Sequence, residues 1–184
     1  MRPRRQALHL LLGAAVLAVL PPGSALAQGS GSQPGGGASA TSNPVQIRTE
    51  IYVVSEVTKS DGSKGEKLTK ADTARPGQIV EYRLFAKNTS DTTLPAGVVQ
   101  ITSPVPTGMQ YVPNSATPSS DTLLTEFSAD GGKTFSKPPV LVGTGNARKV
   151  AEPTSYTTLR WTVLAPLEPG QELPFFYRVK VLKQ

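Results

Sequence analysis

The residue types that most often do chemistry in active sites are nearly missing from this chain. It has no cysteine and a single histidine, His9, among 184 residues. His9 lies in an N-terminal segment with the character of a removable leader, so the exported chain would contain neither thiol nor imidazole. This composition excludes Ser-His and Cys-His nucleophiles, zinc fingers, and metal centres built on cysteine or histidine. Carboxylates remain as candidates for acid–base chemistry or cation binding.

Two groups of acids lie close together in sequence. One comprises Asp121, Glu126 and Asp130, and the other comprises Asp61 and Glu66. Neither group has the alternating oxygen ligands and closing glutamate of a calcium loop. The two carboxylates of a glycosidase can come from distant strands, so spacing cannot identify such a pair. We expect solvated surface acids, and we predict a chain that is not an enzyme and has no catalytic, cofactor-binding or metal-binding residue.

Asp130 belongs to a recognisable motif. Residues 128–135 read Ser-Ala-Asp-Gly-Gly-Lys-Thr-Phe, which is similar to the Asp-box, ser-x-asp-x-gly-x-thr-aromatic, of sialidase-like propellers. An aspartate at this position accepts hydrogen bonds from turn amides, and the glycines allow a positive φ. A propeller requires several blades, so one copy predicts a structural turn. The residues of this turn would be Ser128, Asp130, Gly132, Thr134 and Phe135.

Aromatic side chains suggest a different kind of site, a platform on which a sugar ring stacks. Trp161 follows the apolar side of its predicted strand and is expected in the core. Tyr52 follows the charged side of the first strand, and Tyr156 lies in a predicted loop. We therefore expect Tyr52 and Tyr156 to be the exposed contact residues if the chain binds a glycan.

The elements that position these residues are predicted to be strands. Apolar residues alternate with charged ones at period two, the pattern of a strand with one buried face. Pro-Gly and Pro-x-Gly pairs lie between the segments, and both residue types favour tight turns. The sequence predicts about eight strands, no helix, and an all-β antiparallel sandwich. The predicted strands are residues 47–57, 80–86, 98–102, 109–112, 123–128, 140–142, 159–163 and 173–181.

The N-terminal part has a different composition. Residues 1–27 combine a basic start, an apolar run too short to span a bilayer and an Ala-Leu-Ala cleavage signal, which predicts a secretory signal peptide. Residues 28–44 carry no charged or aromatic residue and predict a disordered Gly/Ser-rich tether. The sandwich domain is then residues 45–184. Removal of the three leader arginines lowers the formal net charge from +6 to +3. The remaining basic residues alternate with acids, so nucleic acid is not an expected partner.

Residues 101–116 carry a resemblance to a known family. They read Ile-Thr-Ser-Pro-Val-Pro-Thr-Gly-Met-Gln-Tyr-Val-Pro-Asn-Ser-Ala, which resembles the "thr-asp-pro-leu-pro-x-gly-leu-x-tyr-val-pro-gly-ser-ala" run of the bacterial cell-surface repeats known as the domain of unknown function eleven. Residues 74–82, 87–89, 159–162 and 167–171 match other parts of that family. Ser103 stands where the family usually has an acid, and one copy is present where repeats are common. The resemblance implies an immunoglobulin-like sandwich exported to the cell envelope, and no reaction.

The functional expectation is a non-catalytic exported protein of the cell envelope or surface layer, acting through protein-protein contacts. Envelope or surface-layer proteins would be its partners, in the periplasm, at the cell surface or outside the cell. No transmembrane span is expected in the mature chain. The alternative is a carbohydrate-binding module for cell-wall glycan or exopolysaccharide.

Overall fold

The computed structural model describes residues 43–183 and, in addition, the backbone of two short segments nearer the N-terminus. The rest of the expected leader, its cleavage site and most of the expected tether lie outside the described residues. The described part contains thirteen strands and two 3-10 turns, Gly145–Ala147 and Pro153–Ser155. The strands are β1 (Leu8–His9), β2 (Val16–Val19), β3 (Val45–Thr58), β4 (Lys64–Lys70), β5 (Thr73–Ala74), β6 (Ile79–Asn88), β7 (Val99–Pro104), β8 (Met109–Tyr111), β9 (Leu123–Ser128), β10 (Leu141–Val142), β11 (Lys149–Val150), β12 (Thr158–Val163) and β13 (Glu172–Val181).

Two antiparallel sheets form the sandwich. The larger has the order β4-β3-β6-β13-β8, and the smaller has the order β2-β7-β12-β9. Two further pairings, β1 with β5 and β10 with β11, add short ribbons at the periphery. β6 lies between the longest strands, pairing with β3 from Ile79 to Asn88 and with β13 from Ile79 to Lys87. This arrangement confirms the predicted all-β antiparallel sandwich.

Alternation along the strands decides which side chains fill the space between the sheets. In β6 the inward residues Val80, Tyr82, Leu84 and Ala86 are all at most 2% exposed. Successive side chains of a strand point to opposite faces, so this spacing buries one whole side of β6. The sheets meet through aromatic rings, and the ring centroid of Trp161 on β12 lies 5.6 Å from that of Phe175 on β13.

A buried polar link also joins the two sheets. Ser103 on β7 donates a hydrogen bond from Oγ to the hydroxyl of Tyr177 on β13, at 3.1 Å. The Tyr177 hydroxyl in turn donates to the carbonyl oxygen of Pro104 at 3.0 Å. Ser103 is 2% exposed, and burial raises the pKa of Tyr177 well above its usual value.

The eight predicted strands are all present, and the structure adds five that the sequence pattern does not indicate, namely β1, β2, β4, β5 and β11. The largest addition is β4, which pairs with β3 along its whole length. Its sequence, Lys-Gly-Glu-Lys-Leu-Thr-Lys, has no apolar alternation, and its burial pattern contains no buried residue. Periodicity reports a strand only where one face is buried, so a polar edge strand leaves no such signal.

Candidate functional site

The Asp-box segment folds as a tight turn around the Asp130 carboxylate. Asp130 Oδ1 accepts hydrogen bonds from the amides of Lys133 and Thr134, each at 3.0 Å, and from Ser128 Oγ at 2.6 Å. Oδ2 accepts from Thr134 Oγ1 at 2.6 Å. The Ser128 and Thr134 hydroxyl hydrogen bonds hold the pKa of Asp130 far below its usual value. Both carboxylate oxygens are engaged inside the turn, so Asp130 is set up as a structural acceptor.

The rest of the motif fastens the turn to the smaller sheet. Gly132 has a φ of +86°, a region that glycine enters without steric cost. The Gly132 amide donates to Ser128 Oγ at 2.9 Å. The Arg160 guanidinium lies 4.2 Å from the centre of the Phe135 ring, and the same group binds Glu126 at 2.7 Å. A cation over an aromatic face adds a modest attraction, which here ties the hairpin to β12.

Most of the acids that could have formed a catalytic or cation site are engaged with other side chains or with backbone amides. Glu126 is paired with Arg160, and Glu66 with Arg178 at 2.7 Å. Asp61 accepts hydrogen bonds from the amide and hydroxyl of Ser63 within its own turn. Within residues 43–183, no three acids converge on a point where they could hold a metal ion.

Tyr52 lies on the outer face of the larger sheet and is half-buried. Its hydroxyl donates to Glu50 Oε2 at 2.7 Å, and the Arg83 guanidinium lies 5.2 Å from the ring centre. The Tyr52 hydrogen bond lowers the pKa of Glu50, and the same bond raises the pKa of Tyr52. The ring therefore keeps part of its surface open, with a carboxylate and a guanidinium beside it.

Tyr156 differs from the expectation of an exposed contact residue, because it is 4% exposed. The 3-10 turn Pro153–Ser155 ends with the Tyr156 amide donating to the Pro153 carbonyl at 3.2 Å. This turn directs the Tyr156 ring inward, where its centroid lies 4.9 Å from that of Phe127 and 5.9 Å from that of Tyr111. Sequence alone placed Tyr156 in a loop and could not report which way the loop folds.

These three rings form the floor of a cleft at one end of the sandwich. The cleft has a volume of about 290 Å³ and no charged side chain in its lining. Its rim carries prolines and small polar groups, and its full lining is Tyr111, Asn114, Ala116, Thr117, Pro118, Ser119, Thr125, Phe127, Pro138, Pro153 and Tyr156. We call this the aromatic cleft. No local sequence pattern identifies this cleft. Tyr111 and the three prolines of its lining come from separate segments, and only the fold brings them together.

A second depression lies on the other side of the segment that bounds the aromatic cleft. It has a volume of about 420 Å³ and shares Asn114, Ala116 and Pro118 with the first. Phe176, which is 39% exposed, and Arg178 lie on its far side. The two depressions are therefore adjacent, with residues 114–118 between the aromatic cleft and β13.

The outer face of the larger sheet carries a network of ion pairs centred on Glu81. The Glu81 side chain is 4% exposed, and its two oxygens bind Arg83 Nε at 2.7 Å and Arg178 Nε at 2.8 Å. Arg178 also binds both carboxylate oxygens of Glu66, on β4. The Glu66 and Glu81 carboxylates raise the pKa of Arg178. Strands β4, β6 and β13 are thus linked across their solvent side.

Among the described residues, no helix is long and apolar enough to cross a membrane. Comparison with protein-family models, with curated proteins and with solved structures finds no match for this chain.

Proposed function

We propose that the chain is a non-catalytic, exported component of a bacterial cell envelope or surface layer, and that it acts by binding another protein. The observation that supports this most directly is the aromatic cleft, a surface depression with an apolar floor and an uncharged rim. Pockets of this kind take a large apolar side chain of a partner as an anchor, and such anchors carry much of the binding energy of protein interfaces.

The chemistry of the rim favours a peptide segment as the occupant. Pro118 and Pro138 are exposed, and prolines present apolar surface on a backbone of restricted φ. Asn114, also exposed, lies in the cleft lining beside Pro118 and offers an amide for hydrogen bonding to a partner backbone. Phe176 extends the apolar surface beyond the cleft. An extended segment with one bulky apolar residue would match these features.

The same rings argue against a sugar platform at this place. Tyr111, Phe127 and Tyr156 are all less than 8% exposed and pack mainly against one another. Sugar stacking requires a ring face open over the width of a sugar, whereas a single apolar side chain needs only the small ring surface that these residues leave at the floor of the cleft. The supporting observation for the carbohydrate alternative is Tyr52, with Glu50 and Arg83 beside its half-buried ring. Charged side chains next to an aromatic ring suit the recognition of sugar hydroxyls.

Export rests on the leader-like composition of residues 1–27 and on the resemblance of residues 101–116 to bacterial surface repeats. Periplasmic, surface-bound and released forms are all compatible with a cleavable signal and a soluble sandwich. Protein partners in the envelope are therefore the expected ligands in each location.

The proposal is tested by gentle detergent extraction of the native envelope, followed by size separation under native conditions and detection of the chain. We expect the wild-type chain to migrate in a large complex. Pro118→Glu, which places a charge on the apolar rim, should shift much of it to the position of the free monomer. The matched control is Ser60→Glu in the exposed turn between β3 and β4, and it should migrate as wild type does.

Migration of the wild-type chain as a free monomer would contradict stable assembly. In that case glycan-array binding, compared between wild type and Tyr52→Ala, tests the carbohydrate alternative. Tyr156→Ala is a poor probe for that purpose, because removing a buried ring disturbs the core.

A further inference from the structure

The edges of the two sheets differ in what covers their outer backbone groups. A free edge strand presents unpaired amides and carbonyls to which another chain can add a strand. On the outer side of β9, the amide of every second residue has a partner inside the chain. The partners of Leu123, Thr125 and Phe127 are the Ser120 carbonyl, Ser119 Oγ and the Ser136 carbonyl, at 3.3, 2.9 and 2.9 Å.

The outer side of the C-terminal strand is closed in a similar way. Beyond the short strand β8, the amide of Phe176 donates to Thr117 Oγ1 at 2.8 Å and the amide of Arg178 donates to Ser115 Oγ at 3.0 Å. Pro174 has no amide hydrogen to offer. At the opposite edge, β4 carries three exposed lysines, and charges of this kind discourage strand addition.

The edge of β7 is covered differently. Its partner on the outer side is β2, a strand from the apolar run of the expected leader. The pairing is antiparallel and places Leu17 opposite Ile101 and Val19 opposite Val99. Ile101 and Val99 are fully buried, so Leu17 and Val19 occupy the register positions of the core side. Val16 and Ala18 occupy the alternate register, opposite Thr102 and Gln100.

We propose that the β7 edge is a strand-binding site, which the leader fills in the precursor and an apolar strand of an envelope protein fills after export. The claim that the β7 edge is vacant after export rests on the proposed removal of the leader. The claim that this edge can bind a strand does not depend on that removal. An added strand gains affinity from main-chain hydrogen bonds and specificity from alternate side chains. The partner strand would therefore carry aliphatic residues at two alternate positions, as Leu17 and Val19 do.

Two other occupants fit the edge less well. Residues 28–44, which would form the new N-terminus, are rich in Gly, Ser, Pro and Gln, residue types that are mostly poor strand formers. A second copy of β7 would bring Pro104 into the new ladder, and proline donates no ladder hydrogen bond. A strand from a different protein can form the ladder hydrogen bonds with the β7 edge without either of these disadvantages.

The test uses the chain purified from its native envelope, with the N-terminus read by mass spectrometry. The probe is a labelled peptide of residues 14–21 with terminal lysines for solubility, and binding is followed by fluorescence anisotropy. We expect saturable binding, and peptide-dependent protection of the amides of residues 99–104 from hydrogen exchange. Residues 123–128, at the closed β9 edge, should show no change in exchange.

Two peptide variants separate strand addition from unspecific apolar binding. Changing Leu17 and Val19 together to Ser removes the two aliphatic residues paired with Ile101 and Val99 and should weaken binding by at least about tenfold. Changing Val16 and Ala18 together to Ser alters the outer register, and its affinity should stay within about threefold of the parent peptide. Because both changes lie in the peptide, neither affects the folding of the protein.

The outcomes distinguish the two proposals. An N-terminus that still carries residues 1–27 would overturn the proposed export. A cleaved chain that fails to bind the peptide, or that responds equally to both double changes, would overturn the strand-binding site. A concentration-dependent dimer that the peptide dissociates would also overturn it, because the occupant would then be a second copy.

Discussion

The amide side chain of Asn88 offers the sharpest test of how the two ends of the larger sheet are held. Asn88 is fully buried at the end of β6. Its Nδ2 donates to the carbonyl oxygens of Thr92 and Leu167 at 2.8 and 2.9 Å, and its Oδ1 accepts from the amide and hydroxyl of Ser90 at 3.0 and 2.7 Å. One side chain thus joins β6 to the loop before β7 and to the loop before β13.

The expected cost of Asn88→Ala follows from these four bonds. At a net value of about 1 kcal/mol per hydrogen bond, the sum is about 4 kcal/mol. Thr92 is exposed and Ser90 is half-buried, so water can replace part of what they lose. The Leu167 carbonyl keeps the amide of Leu94 as a donor at 2.9 Å. We therefore expect the free energy of unfolding to fall by about 2 kcal/mol.

Asn88→Asp is nearly isosteric and should be worse at neutral pH. An ionised carboxylate would face two carbonyl oxygens with no donor, and the loss should reach about 3 to 4 kcal/mol. Burial would hold the pKa of the introduced carboxyl above its unfolded value. Its destabilising effect should therefore be smallest below about pH 4 and should grow as pH rises.

The assay is urea unfolding of wild type, Asn88→Ala, Asn88→Asp and the exposed control Asp91→Ala, at about pH 4 and about pH 7. Asp91→Ala should change the free energy of unfolding by less than about 0.5 kcal/mol. If Asn88→Asp were as stable as wild type at neutral pH, the reasoning would be refuted, because the two hydrogen bonds that Nδ2 donates would then contribute nothing to stability. A gap between Asn88→Ala and Asn88→Asp that does not depend on pH would also refute it.

Three further predictions concern the outer network and the Asp-box turn. Glu81→Gln should lower the free energy of unfolding by about 1 to 3 kcal/mol in urea melts, whereas Glu56→Gln, in an exposed pair with 3.4 Å separation, should have almost no effect. The lowered pKa of Asp130 means that its contribution to stability is complete above the usual carboxyl pKa and declines as pH falls below it. The melting-temperature gap between wild type and Asp130→Asn should therefore narrow on acidification, and a constant gap would contradict this origin. Gly132→Ala has room for the methyl group, with Thr158 Oγ1 at 3.5 Å, so thermal melts should show only the backbone cost of about 1 kcal/mol.

Much of the fold could be predicted from the sequence because it depends on local alternation. The inward positions of β6, β12 and β13 are apolar at every second residue, and the structure buries them. β4 could not be predicted, since none of its residues is buried and its sequence therefore shows no apolar alternation. The order of the strands could not be predicted from the alternation either. β13 pairs between β6 and β8, and this pairing is set by contacts between residues distant in sequence.

The candidate site was only partly predictable, for a similar physical reason. The Asp130 turn is formed by residues within a few positions of one another, and its motif specifies it. The aromatic cleft instead requires Tyr111, Phe127 and Tyr156 to meet from three separate segments. The residues next to Tyr156 in sequence do not indicate that its ring is buried. The prediction that Tyr156 is an exposed contact residue was wrong, because the ring is 4% exposed.

The most direct test of the central claim is whether a partner protein touches the aromatic cleft in the native envelope. A photo-crosslinking amino acid placed at position 118, on the exposed rim, should yield a discrete heavier species that contains another envelope protein. The same group at position 60, in the turn between β3 and β4, should yield none. Absence of a crosslinked protein at position 118, or equal crosslinking at both positions, would contradict the claim that this cleft binds a protein partner.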